Sequence, residues 1–437
     1  MFQLLLTLTP LLASPPRAAQ ETSAAPAPEL PDAQAAEGAA TPPELDEVVG
    51  AELRGRDRPS GVLDAEERGP VGRALLEWGG LRPYLSDRGF EMEVLYTVDS
   101  SWLASGAVEE DNPLTRGLLD ATFTYRTDPL LGWSGGTFHA GFQWFHGVDA
   151  STRYGVVQPI TNIDAERRTQ LGRIWFEQHF ASSGTRLRLG KIDANSQFAF
   201  VDGAASFLHS SMGVSPTVFL LPTYPDSAFG LTIVQPIGRA SLSAGVFDGA
   251  LASGVRTGRH GPSTVFESPS EAFFIGEAAW GWDGGRLALG AWRSTAEFTR
   301  FDGAPESGTG GLYAVAEQVV WRAAERGRGE CTTFLQLGSA DGDITAIDEH
   351  LGFGLAWSDA VEGGTHSAGL GVSRAGLSSA TGAGFSEAAE TAIELYYGFE
   401  PVEWLRLKPD LQFIADPGGD AALEDAWILS LRATLAL

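Results

Sequence analysis

From Phe90 to the last residue, hydrophobic and polar positions alternate with a period of two in one segment after another. Phe90, Met92, Val94, Tyr96 and Val98 share one parity; Glu91, Glu93, Leu95, Thr97 and Asp99 share the other. Leu119, Ala121, Phe123 and Tyr125 alternate with Asp120, Thr122, Thr124 and Arg126, and Trp427, Leu429, Leu431, Ala433 and Leu435 alternate with Ser430, Arg432 and Thr434. Such alternation marks strands with two different environments on their two faces. Sixteen segments of this kind lie near 90–99, 118–127, 136–146, 170–180, 185–193, 227–236, 239–248, 273–282, 285–300, 310–322, 330–339, 349–358, 365–374, 390–400, 403–414 and 426–437. The gaps after odd-numbered segments are mostly long and those after even-numbered ones mostly short. Many segments reach ten residues, enough for a tilted strand to cross a hydrocarbon layer. The predicted fold is an all-β transmembrane antiparallel barrel of about 16 strands, with long extracellular loops and short periplasmic turns. The rival is a soluble sandwich, whose strands are usually shorter.

The N-terminal part departs from this pattern. Residues 1–19 contain a short apolar run followed by small residues, as in a secretory signal peptide with a cut near Ser14 or Ala19, although no Lys or Arg precedes the run. Residues 20–70 are rich in Ala, Pro and Glu, nearly without aromatics, and read as a disordered linker. Residues 71–89 read as one or two short helical turns leading into the barrel domain, 90–437.

Charge and chemistry then narrow the function. The net charge of −26 excludes a basic nucleic-acid surface. A single cysteine, Cys331, excludes an internal disulfide and a cysteine-rich metal site. The histidines show no metal-ligand spacing and no nucleophile elbow is present. Nothing here calls for catalysis or a cofactor, although catalytic triads assemble from distant positions and an outer-membrane enzyme stays open.

Polar positions on the inner parity are the candidate channel lining. On the fourth segment these are Arg173, Trp175 and Glu177, and on the fifth Arg186 and Arg188. If residue 180 pairs with 185, Glu177 lies opposite Arg188. The pair reads either as a modest cross-strand ion pair in a wet lumen, or as fixed donors and acceptors for sugar hydroxyls, with Trp175 offering a ring face. The long segment 194–226 is poor in charge for an exposed loop and is expected to fold inward and narrow the channel, with Lys191 and Asp193 at its base. Strict alternation puts Lys191 on the outer face, so it snorkels at the rim or the register breaks there. The opposite wall offers Glu394, Tyr396, Trp404, Arg406, Lys408, Asp410 and Gln412. Pro409 interrupts this strand on its apolar parity and is expected to mark a bulge. A wall of mixed sign suits neutral polyhydroxyl solutes, while the acidic balance leans toward cations.

Several stretches, in order along the chain, resemble the carbohydrate-selective outer-membrane porins of the OprB type: "GGLRPYLSDRGFEMEVLYT" (79–97), "LRLGKIDANSQFAF" (187–200), "LPTYPDSAFGLTI" (221–233), "GVFDG" (245–249) and "LKPDLQFIADPGG" (407–419). The similarity covers roughly 79–437; the acidic linker, the missing terminal aromatic at Leu437 and the uncharged start depart from it. The resemblance implies a sixteen-stranded barrel in the outer membrane of a Gram-negative-type bacterium. It would be inserted among lipids by the outer-membrane assembly machinery and would pass small carbohydrates by diffusion. A homo-oligomer is compatible with it, but no interface signal is visible. The alternatives are a general or cation-leaning porin without a sugar site, an outer-membrane enzyme, or a soluble sugar-binding β-protein.

Overall fold

The computed structural model describes residues 70–108, 112–266, 271–323, 329–361 and 364–437. The signal-peptide and linker readings fall outside these residues. Two short helices, α1 (Pro70–Glu77) and α2 (Leu81–Ser86), precede the first strand. Sixteen strands follow: β1 (Phe90–Ser105), β2 (Leu114–Arg126), β3 (Gly136–Gly147), β4 (Arg168–Phe180), β5 (Thr185–Ile192), β6 (Ala228–Ile237), β7 (Ala240–Asp248) and β8 (Ala272–Trp282). The second half holds β9 (Gly285–Thr299), β10 (Pro305–Arg322), β11 (Glu330–Ala340), β12 (Ile347–Val361), β13 (Gly364–Leu377), β14 (Ala389–Val402), β15 (Leu405–Ala415) and β16 (Ala426–Ala436). Each strand pairs antiparallel with the next, and β1 pairs with β16, so the barrel is closed. Closure satisfies the edge N–H and C=O groups that hydrocarbon could not.

The two parities separate as the sequence predicts. Leu187, Leu189, Leu231, Ile233, Leu287, Leu289 and Leu395 are exposed on the outside. Asp99, Arg116, Asp120, Arg173, Arg188, Glu394 and Arg432 are buried inside. Near the short-turn end of the outer wall Phe90 stacks on Tyr125 at 4.4 Å and Phe138 meets Phe176 at 4.8 Å, an aromatic band of the kind that sits at a membrane interface.

Two irregularities shape the interior. On β4, Gly141 pairs with Arg173 but Phe142 pairs with Leu171, so Gly172 is an extra residue. Such a bulge exchanges the two faces beyond it. Arg173, Trp175 and Glu177 point inward below it, while above it Arg168 and Gln170 do, and Leu171 points out. The second irregularity is the early end of β5, whose last partner on β4 is Ile174. The notch beside the upper half of β4 is filled by residues 256–260 from the β7–β8 loop, where Thr257 Oγ1 donates to Asp226 O at 2.8 Å. Gly190, next to this point, has φ +136°, and a Cβ there would lie 2.3 Å from Ile174 O; only glycine adopts this geometry freely.

Pro409 marks no bulge. β15 and β16 stay in register through Pro409–Leu431. On the β14 side the register is unchanged between Tyr396–Asp410 and Phe399–Leu407, with pairing interrupted at the proline. The missing N–H therefore interrupts the pairing on one side and leaves the register intact.

Candidate functional site

The β5–β6 connection, 193–227, folds into the barrel as its charge deficit predicts. Phe198, Ala199, Val201, Phe207, Met212 and Leu221 are buried against Phe247, Phe273, Trp292, Tyr313, Phe334 and Tyr396, inward residues of β7–β11 and β14. The connection between β3 and β4, 148–167, also turns inward, which its polar sequence did not announce. Its Ala150, Tyr154 and Ile160 pack on Ala392, Ile414, Ala426 and Ile428. The two segments meet: Asn162 N donates to Leu208 O at 2.7 Å and Ser210 N to Pro159 O at 3.0 Å.

Wall side chains hold these loops by their main chain. Glu394 accepts from Leu208 N at 2.6 Å and His209 N at 3.0 Å. Glu277 accepts from Ala199 N at 2.9 Å, and Glu317 from Gly203 N at 2.7 Å. Glu390 accepts from Val157 N and Gln158 N, both at 2.8 Å. Gln336 donates to Ser211 O at 2.6 Å, Gln412 to Ile160 O at 2.8 Å, and Lys408 to Ser206 O. A buried amide left without an acceptor is costly, so each such contact fixes a loop segment to one strand.

This changes the meaning of several residues expected to line the channel. Glu394, Lys408 and Gln412 do face inward, but they are covered by the loops they anchor. Asp410 accepts from Gln412 at 3.0 Å, and Arg406 donates to Glu400 at 2.9 Å and to Ser367 at 2.5 Å. Glu177 lies opposite Arg188, which donates to it at 3.0 Å. The pair is not in a wet lumen, since its side chains are only 4% and 2% exposed. Arg173 pairs with Asp120 at 2.7 Å, and Arg186 is half-buried near the short-turn end. Trp175 does not offer a ring face to a sugar: His139 stacks on it at 4.8 Å from the β3 side, and the Arg188 guanidinium lies 3.9 Å from its centroid from the β5 side.

Lys191 is not a lumen residue either. It keeps the outer parity and sits under the segment that fills the notch, donating to the carbonyls of Leu171 at 3.0 Å, Gly258 at 2.5 Å and His260 at 3.1 Å. Those three carbonyls take the place of the water a snorkelling ammonium would need. Asp193 caps the next turn through Asn195 N at 3.1 Å and accepts from Thr223 Oγ1 at 2.6 Å.

Where the two inward loops meet they enclose a cavity of about 110 Å³. Its polar lining is Asn162, Asp193, Asn195, His209, Ser210, Thr223 and Tyr224, and Phe200 and Phe207 give it an apolar side. Toward the long-loop end lies a basin of about 720 Å³ with Arg153, Arg167, Arg168 and Arg256 set among Asp149, Asp164, Glu166 and Asp226. Toward the short-turn end a recess of about 320 Å³ is lined by Asp202, Arg286, Glu317 and Arg322. Residues 162 and 224 line the cavity, and 164 and 226 line the basin, so the two are neighbours along both loops. The wall beside the cavity carries a network that sequence reasoning missed. Arg432 donates to both oxygens of Asp99 at 2.8 Å, and to Thr161 Oγ1 and Asn162 Oδ1 at 2.8 Å. Arg116 meets Asp164 at 2.7 Å, where burial still pushes the Asp164 carboxyl up to about 6. The only signal in the sequence was their inward parity on β2 and β16.

The arrangement is therefore a barrel whose interior is narrowed by two inward loops, with a small polar cavity where they meet and, among the described residues, no cluster of metal-ligating side chains. The family model for the carbohydrate-selective porins, OprB family, matches residues 111–437. Among solved structures, the high-pH structure of Pseudomonas putida OprB superposes with a TM-score of 0.71 at 20% identity, covering 83% of this chain and 97% of that one. The low-pH structure of the same protein superposes with a TM-score of 0.55 at 16% identity, covering 87% and 100%. A comparison with curated proteins returns no match.

Proposed function

Because this chain belongs to the OprB family of carbohydrate-selective porins, we propose that it passes small neutral carbohydrates across the outer membrane of a Gram-negative-type bacterium, through the constriction between residues 148–167 and 193–227. The family membership and the closed barrel support a transport channel rather than an enzyme. The observation that carries the reading is the lining of the cavity. It combines amide, hydroxyl and imidazole groups with Phe200 and Phe207 and has one carboxylate, Asp193, whose Oδ1 already accepts two bonds. Donors and acceptors of both kinds beside an apolar surface match a pyranose, which has a rim of hydroxyls and a face of C–H bonds. The basin at the long-loop end sets four arginines among four carboxylates, so its lining carries no excess of either sign.

The test is permeation. Liposomes carrying the purified barrel should swell faster in neutral sugars than in amino acids of similar size. In a planar bilayer, sugar should reduce the ion current in a saturable way. A second reading, a general cation-leaning porin, is favoured by the net charge of −26. It predicts equal swelling in both solute classes and a cation preference that sugar does not alter.

A further inference from the structure

The outer wall carries two guanidinium groups that the barrel itself does not use. On β9 the outward residues run Leu287, Leu289, Ala291 and then Arg293; on β13 they run Leu370, Val372 and then Arg374. Both arginines therefore stand at the upper edge of the apolar band, on the side of the long loops. Between them the same edge is polar, with Ser339 on β11 paired to Glu349 on β12. Both arginines are exposed, and among the described residues neither has an ion-pair or hydrogen-bond partner, although Glu297 and Glu349 share this face. Arg300, in the loop above β9, differs: it meets Asp343 at 2.6 Å.

The strand beside Arg293 makes room for its side chain. The ladder between β9 and β10 slips by one residue opposite Gly308, since Glu297 pairs with Ser307 but Ser294 with Thr309. Gly308 has φ +72°, and a Cβ on it would lie 2.8 Å from Arg293 Nη2. A Cβ on Gly310 would lie 3.8 Å from Arg293 Cδ. The stem thus runs beside Gly310 and the guanidinium rests over Gly308, two residues nearer the long-loop end. A long basic side chain on a lipid-facing wall takes this course when its charge reaches for the headgroups. A charge on that wall is costly at the bilayer midplane and cheap at its interfaces.

We propose that Arg293 and Arg374 each bind the phosphate of a lipid headgroup in the leaflet at the long-loop end. The planar guanidinium presents two parallel N–H donors to two phosphate oxygens, and its charge offsets theirs. The arginines are four strands apart, about 19 Å at the usual strand spacing, so each meets its own headgroup. The proposal rests on the barrel spanning a membrane and not on which solute it passes.

The experiment uses the full barrel in dodecyl maltoside, titrated with dimyristoylphosphatidic acid, and reads the temperature at which the folded band is lost on an unboiled gel. A lipid that binds only the folded barrel raises that temperature. Wild type should show a saturable rise. Arg293→Gln and Arg374→Gln should each need about fivefold more lipid for half the rise, the scale for one basic residue at an anionic membrane surface, and the double variant should lose most of it. Arg239→Gln removes the same charge from an exposed arginine in the β6–β7 turn at the opposite end, and should titrate as wild type. If Arg293→Gln does not give a heat-modifiable barrel, Arg293→Lys takes its place, with phosphatidic acid retained per barrel counted by native mass spectrometry; a lower count than wild type is expected and an equal count overturns the role of Arg293. A double variant that titrates as wild type overturns the proposal. So does equal weakening in Arg239→Gln, which would make the effect one of net charge. Inorganic phosphate that produces the same rise at the same concentration overturns it too, since the site would then take a free anion and not a lipid.

Discussion

The inner wall of the barrel has two unlike sides. From β7 to β11 it presents Phe247, Phe273, Ile275, Trp292, Tyr313, Val315 and Phe334, and the 193–227 loop lies against them. From β16 through β1 to β5 it presents Arg432, Asp99, Arg116, Asp120, Arg173, Glu177 and Arg188, arranged as ion pairs. A uniform polar lining would give an inward loop no preferred place. An apolar half removes the loop's phenylalanines and leucines from water, at roughly 25 cal/mol per Å², while the charged half keeps its groups in ion pairs, partly with the 148–167 loop. The asymmetry therefore decides on which side of the lumen the loop rests.

The largest effects should come from breaking either side at its centre, and the two should differ in kind. Arg188→Ala leaves Glu177 buried without its partner, a change costing about 3–5 kcal/mol. Trp292→Ala opens a hole under Phe219, which meets it edge-on at 5.4 Å, and costs a similar 3–5 kcal/mol or so. Both should lower the temperature at which the folded band is lost on an unboiled gel. Only Arg188→Ala should raise cation preference, because it alone removes a positive charge from the interior. An unchanged ion selectivity in Arg188→Ala would show that this side does not shape the passage.

A smaller effect is expected from the anchors. Glu394→Ala strands the N–H groups of Leu208 and His209, at about 1–3 kcal/mol for each buried donor. Because the barrel ladder is untouched, the loop should loosen locally: noisier and higher single-channel conductance, with the global melting temperature little altered. Ile275→Val, on the apolar side, should cost only about 0.5–1.5 kcal/mol and leave sugar block in place. A large loss of block there would mean that the loop rests on a narrower fit than burial alone implies.

The last effect concerns pH. Asp164, on the 148–167 loop, has its carboxyl raised to about 6 by burial, with the Arg116 guanidinium pulling the other way. Between roughly pH 4 and 6 the native loop keeps a proton that the unfolded chain has already lost, so stability falls as pH rises through that window. Asp164→Asn should flatten that slope in melting curves taken from pH 4 to 7. An unchanged slope would assign the pH dependence to other groups.

How much of this was legible depended on which face a residue showed. The sixteen strands were readable because each carries an apolar outside and most set a polar inside against it, and the opposition of Glu177 and Arg188 followed from one turn. The inward course of 193–227 was readable from missing charge. The inward course of 148–167 was not, since its Asp149, Arg153, Asp164 and Glu166 make it look like an ordinary exposed loop. Parity also told that Glu394, Lys408 and Gln412 point inward, but it cannot tell whether a polar side chain meets water or the backbone of a loop arriving from more than a hundred residues away. Trp175 failed for the same reason: its two neighbours in space, His139 and Arg188, come from different strands.

The main-chain anchoring of the 193–227 loop has a consequence for how such a channel diversifies. Glu277, Glu317, Glu394 and Gln336 grip peptide N–H and C=O groups, which nearly every amino acid supplies equally. The anchors specify where the loop runs and are indifferent to which side chains it carries. A lineage can therefore exchange the loop's side chains one at a time while the loop keeps its course and the outer shell goes on assembling unchanged.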